Sequence, residues 1–145
     1  MEKLDRRILS LLARDGRMSY TDIGKETGLS TSAAQQRVRR LEQRGVIKGY
    51  TAVLDSAELG LMVTAFVAIK PFDPSQPDDA PDRLLDIEEI VSCYSVAGEA
   101  NYLLKVQAPT MAQLESTLAR IRAAAKVSTD TTTVLSIPFE DRPQI

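Results

Sequence analysis

The stretch LSTSAAQQRVRRLEQRGVIKGY, residues 29–50, decides how this chain is read. Leu29-Ser30 makes a tight turn, Ser30 or Thr31 offers a side-chain oxygen to cap a helix, and Gly45 stops that helix. At 100° per residue, Ala34, Val38 and Leu41 fall within a stripe of roughly 60°, which predicts a face packed on other helices. The opposite face then carries Ser32, Gln36, Arg39 and Gln43, with Gln35 and Arg40 on its flanks and Glu42 off to one side. Arg pairs with guanine edges and phosphate oxygens, Gln with adenine, and Ser with either. An ordinary solvated helix face is the competing reading. Such faces usually mix Glu and Lys four residues apart for mutual support, and this one does not.

Working outward, Leu4, Ile8, Leu11 and Leu12 recur at helical spacing and Asp15-Gly16 closes a first helix. Ser19 opens a second, Tyr20 to Thr27, with Ile23 facing inward and Gly28 at its end. After Gly45, VIKGYTAVLD has strand composition, with Gly49 suggesting a tight turn or hairpin. Three helices, a Gly-containing turn and a β segment predict a winged helix-turn-helix.

Charge supports a division here. Residues 1–50 hold eleven basic and six acidic residues, a balance of +5; the rest holds seven and fourteen, a balance of −7. The total of −2 therefore hides a basic half that suits a polyanion. The 145 residues include no His and one Cys, which excludes imidazole catalysis, His-ligated metal, an intrachain disulfide and a multi-thiolate zinc site. The N-terminus is charged within seven residues and lacks an apolar signal core, and the longest mostly apolar stretch, Leu59 to Ile69, is too short for a bilayer. A cytoplasmic protein with no membrane partner is expected. Cys93, in an apolar run, reads as a buried small hydrophobe.

The second half reads as strand 62–70, a Pro- and Asp-rich loop, a helix opened by Asp79-Ala80-Pro81, strand 91–97, a turn at Gly98-Glu99-Ala100-Asn101, and strand 102–108. Thr110 with Gln113 caps a further helix with Met111, Leu114, Leu118 and Ile121 on one stripe, and Val127 to Ile137 forms a last strand. The β-α-β-β-α-β order predicts a ferredoxin-like sheet with both helices on one face. The other face then needs cover, and a twofold homodimer is the default way to supply it. The fold expected is α+β: residues 1–50 a winged helix-turn-helix, 51–60 a linker strand or hinge, 61–145 a ferredoxin-like βαββαβ sandwich of the RAM type.

With these motifs in hand, the chain resembles the Lrp/AsnC (feast/famine) transcription regulators. Residues 29–50 resemble the family's recognition helix, and CYSVAGEANYLLKV, residues 93–106, its ligand-binding turn. DPSQPDDAP, residues 73–81, with IEEIVSCYSVAGE, residues 87–99, resembles the actinobacterial LrpA-like branch. The resemblance implies a bacterial, nucleoid-associated regulator that binds pseudo-palindromic operators in double-stranded DNA. It also implies homodimers assembling to tetramers or octamers, and an amino acid or related small-molecule effector but no cofactor. The DNA-binding residues expected are Thr31, Ser32, Gln35, Gln36, Arg39, Arg40, Arg44 and Lys48. The effector site implied is Val96, Ala97, Gly98, Glu99, Ala100, Asn101 and Tyr102, with Thr131. The family commonly has Asp where this chain has Asn101, so either a ligand ammonium is held elsewhere, with Glu99 a candidate acid, or the ligand differs, or effector binding is weak. For Thr129, Thr131 and Thr133, plain β-formers on a half-exposed strand is the competing reading. Arg37, at the edge of the buried stripe, is open to an ion pair with a nearby acid or to a phosphate contact. A nucleoid-like architectural protein with little base readout is the alternative function, and a small-molecule enzyme on the second half the weaker one.

If Arg39 reads a base, Arg39→Ala costs about 1–3 kcal/mol and relaxes specificity at one base pair, whereas Arg40→Ala weakens all sequences alike. Binding isotherms on an operator and its point variants at fixed salt check this; equal losses for both variants on every sequence would overturn it.

Overall fold

A computed structural model describes all 145 residues. It divides into two compact units: residues 1–53 together with 139–145, and residues 54–138. No helix is long and apolar enough to cross a membrane.

The first unit is three helices: α1 (Lys3–Arg14), α2 (Tyr20–Thr27) and α3 (Thr31–Gln43). Their ends are set by local chemistry. The Ser19 hydroxyl accepts from the Asp22 amide and the Ser30 hydroxyl from the Ala33 amide, so each satisfies a backbone donor that the helix start leaves over. Gly28 closes α2 at φ 77°, a left-handed conformation that costs any residue with a Cβ. The core is Ile8, Ile23, Ala34, Val38 and Leu41, backed by Leu9, Leu12, Met18, Tyr20, Leu29 and Ile47. Each fully buried Leu, Ile or Val contributes about 1.5–3 kcal/mol from the water it sheds. The α2–α3 turn needs a close approach at Gly24, where a Cβ would lie 2.5 Å from the Leu29 carbonyl oxygen.

The β segment expected after α3 does not form: residues 46–55 contain no strand. The Leu41 carbonyl takes the Val46 and Ile47 amides, which extends the helix ending rather than a ladder. Val53 is 97% exposed. Strand composition without a partner strand to pair with gives no ladder. The helix-turn-helix is therefore present without a β-hairpin wing.

The second unit opens with a turn at Ser56–Gly60, pinned where the Gln107 side-chain amide donates to the Ser56 hydroxyl at 3.1 Å. Then come β1 (Val63–Pro71), α4 (Ala80–Leu84), β2 (Ile90–Ser95), β3 (Tyr102–Ala108), α5 (Met111–Ala125) and β4 (Val127–Thr133). The sheet order is β2-β3-β1-β4 and every pairing is antiparallel, the ferredoxin-like arrangement expected. Ala65, Val67, Ile69, Leu104, Val106 and Ala108 alternate onto the helix face and meet Leu114 and Ile121 of α5. Phe66, Ala68, Leu103 and Lys105 alternate onto the opposite, open face, and Lys105 lies across from Phe66.

Four expectations change in this unit. Met111 is 59% exposed and the buried stripe of α5 runs through Thr117, whose hydroxyl donates to the Gln113 carbonyl and so carries no unmet polar group. Helix α4 spans five residues only, and β4 ends at Thr133 rather than Ile137. Cys93 is exposed, because β2 is an edge strand with no neighbour beyond it; partial burial still pushes its thiol pKa up.

Gly24→Ala should destabilise by about 1–3 kcal/mol, since the Leu29 carbonyl is backbone and cannot step aside. Gly49→Ala, where a Cβ meets nothing within 4 Å, should stay within about 0.5 kcal/mol. Urea midpoints at unchanged slope decide this, and a Gly24→Ala midpoint equal to that of Gly49→Ala would sink the close-approach argument.

Candidate nucleic-acid interface and ligand turn

Helix α3 is fixed in rotation by what it buries. Ala34, Val38 and Leu41 are at most 1% exposed, which leaves the opposite side to solvent. Thr31, Ser32, Gln36, Arg39, Arg40 and Arg44 are exposed and Gln35 is half-buried on the flank. The structure thus brings all seven onto α3 or its C-cap, and Lys48 lies exposed on the segment that follows. Thr31 also shares a hydrogen bond with Thr21 of α2 at 3.3 Å, which ties the start of α3 to the helix before it. The face holds Gln, Ser, Thr and Arg with no acid in its first turn, so it offers donors and positive charge to an acceptor-rich anionic surface.

Arg37 does not join that face. One of its terminal nitrogens donates to Glu2 at 2.9 Å and to Asp5 at 3.0 Å, which links α3 back to the start of α1. The hydrogen bonds to Glu2 and then Asp5 hold the guanidinium pKa above its ordinary value. Of the two readings open for Arg37, the ion pair is the one formed. Asp5 is buried at 5% exposure, in line with Ile8 and Leu12 on the apolar side of α1. A charged residue at an apolar stripe position was the available signal for this pair, because buried charges are found paired.

The second candidate site is the turn between β2 and β3. Its hairpin is closed by the Val96 amide on the Asn101 carbonyl at 3.1 Å, and anchored by the Asn101 amide on the Ile69 carbonyl at 2.9 Å. Gly98 sits at φ 149°, in a region only glycine visits freely, with open space where a Cβ would be. Glu99 is exposed and ion-paired with Lys70 at 3.3 Å. Glu99 and Ala100 line a groove with Ala68, Lys70, Thr129 and Asp130. Asn101 and Tyr102 line a different cavity, under the loop that carries Pro77, Asp78 and Asp79. Desolvation, then a hydrogen bond to Asp78, raises the Tyr102 phenol pKa.

The expected effector residues are therefore divided. Val96, Ala97 and Gly98 form the turn itself, Glu99 and Ala100 face one hollow, and Asn101 and Tyr102 face another. Thr131 is not brought to the turn. It pairs with buried Val67 on the helix side of β4, and its face neighbour Thr129 accepts from Arg122 of α5 at 3.1 Å. The residues that sequence reasoning missed are Lys70, Asp78 and Asp130. They reach the turn through strand register and loop return, which no local spacing shows.

Each of the two units matches a known domain family. Residues 1–42 match the AsnC-type helix-turn-helix domain model, and residues 64–144 the Lrp/AsnC ligand binding domain model. The chain is 49% identical over its full length to the HTH-type transcriptional regulator LrpA of Mycobacterium tuberculosis, covering 97% of that protein. It is 39% identical over 114 residues to the leucine-responsive regulatory protein of Escherichia coli, covering 77% of this chain and 69% of that one. It superposes with TM-score 0.97 at 49% identity on a feast or famine regulatory protein from M. tuberculosis complexed with L-methionine, covering 99% of this chain and 98% of that one.

Asp5→Ala leaves Arg37 without its buried partner and should lower the thermal midpoint, whereas Glu2→Ala, at an exposed carboxylate, should barely move it. A differential scan of the two variants checks this; equal midpoints would show that the buried arm of the pair carries nothing.

Proposed function

The chain belongs to the Lrp/AsnC family of transcription regulators, and on that premise we propose that it binds duplex DNA through the outward face of α3 and is adjusted by an amino acid held at the 96–102 turn. The observation that carries the reading is the α3 face itself. Ser32, Gln36 and Arg39, with Gln35 on the flank, are positioned for base edges; Thr31, Arg40, Arg44 and Lys48 are positioned for phosphates. Arg37 is spent on Glu2 and Asp5 and takes no part in readout. The protein is a regulator and not an enzyme.

The open face of the sheet supports assembly. Phe66, Ala68 and Leu103 are half-buried there and Tyr94 is half-exposed, an apolar surface that a second copy would cover. Two copies related by a twofold axis present two α3 helices to a pseudo-palindromic operator. Further assembly to a tetramer or octamer would set turns from different dimers side by side, and such a particle would sit on the bacterial nucleoid.

For the effector, a relative that is leucine-responsive and another complexed with L-methionine support an amino acid with an unbranched-at-Cβ apolar side chain. In this chain the ammonium partner is Glu99, since Asn101 offers only a neutral side chain. Glu99 would have to exchange its Lys70 partner for the ligand, and Lys70 would then be free for the ligand carboxylate.

Thermal shift against leucine and methionine tests this. At a hundred times its dissociation constant a ligand stabilises by about 2.7 kcal/mol, and Glu99→Gln should abolish the shift while leaving the unliganded midpoint in place. A full shift in Glu99→Gln would remove Glu99 from the site. Equal affinity for promoter and random DNA across salt concentrations would replace sequence-specific regulation with architectural binding.

A further inference from the structure

The first unit is not made from one run of chain. Residues 139–145 return to it after the whole of the second unit. They meet a groove of about 420 Å³ between Leu9, Leu12 and Ala13 of α1 on one wall and Ile47, Lys48 and Tyr50 on the other. Ile145 lines this groove with them and is 38% exposed, less than Phe139 at 72% and Ile137 at 50%. The Ser10 hydroxyl of α1 donates to the Ile145 carbonyl at 3.5 Å. The segment is shaped for the return: Arg142 lies over the Phe139 ring at 4.9 Å, and Asp141 takes a left-handed φ of 52°.

We infer that the groove between α1 and residues 46–50 is a docking site for this chain's own Phe139–Ile145 segment, with Ile145 as its apolar anchor. The chemistry is a branched aliphatic side chain on an apolar floor, held by a backbone hydrogen bond from Ser10. The wall that gains most is residues 46–50, which have no strand partner to order them. The docked segment takes the place of that partner. One consequence rests on the functional reading above: because Lys48 lines the groove, docking holds a phosphate-contacting residue in place, and losing the segment weakens binding to every DNA sequence alike.

Three measurements test this. Hydrogen exchange compares the intact protein with Ile145→Asp and with a chain ending at Pro138. Protection of amides 9–13 and 46–50 should fall several-fold in both, with amides of the second unit unchanged; unaltered protection would overturn the docking. Ala13→Cys with Ile145→Cys, in a Cys93→Ser background, should give a disulfide-linked product of monomer mass on mild oxidation. A product of dimer mass would assign the groove to a second copy instead. DNA binding by Ile145→Asp should weaken by the same factor for operator and random DNA, and an unchanged affinity with lost protection would overturn the ordering of Lys48. The first two readouts need no DNA, so they stand apart from any failure of the DNA-binding reading.

Discussion

The burial of Ala34, Val38 and Leu41 against Ile8 and Ile23 is the constraint on which the N-terminal unit depends. A helix has one rotational freedom about its axis, and three small or branched side chains at this spacing remove it. Rolling α3 by one residue would put an Arg or a Glu into a core with no partner for it, at several times the cost of any gain. The pairing of Arg37 with Asp5 acts in the same direction from the edge of the stripe. What faces outward is then no longer adjustable. Ser32, Gln36 and Arg39 are presented as a set, and only a change in the core or in that pair would present a different one.

The elements that were legible in the sequence are those fixed by local chemistry. Ser19, Ser30 and Thr110 each cap the helix they were expected to cap, because a cap needs only its own hydroxyl and an amide three residues on. The split βαβ order followed from element order alone. What failed was partnership. Residues 46–55 have strand composition but pair with nothing, Cys93 stands in an apolar run but its strand lies at the sheet edge, and Thr117 rather than Met111 enters the core. In each case the sequence states what a residue prefers, and the structure decides whether a neighbour exists to satisfy it.

The candidate site divides along the same line. The α3 face was readable because helical periodicity is a property of contiguous residues. The 96–102 turn was readable as a turn, but its surroundings were not. Lys70 reaches Glu99 from across the sheet, Asp78 reaches Tyr102 from a loop, and Thr131 turns toward α5 instead of the turn. The separation of Glu99 from Asn101 into two hollows matters chemically. If Glu99 holds a ligand ammonium, the ligand lies in a different hollow from the one that Asn101 lines, and its side chain meets different neighbours.

The discontinuous first unit bears on how the molecule is made. During synthesis the N-terminal helices emerge first and have their own core, so they can fold while the rest is still being translated. The groove on α1, however, is closed by residues that appear only after the whole β-sheet unit. A nascent chain therefore passes through a period in which its helix-turn-helix is formed but its last wall is open. Chains clipped before residue 139 would keep that wall open permanently, although every residue of the three helices is present.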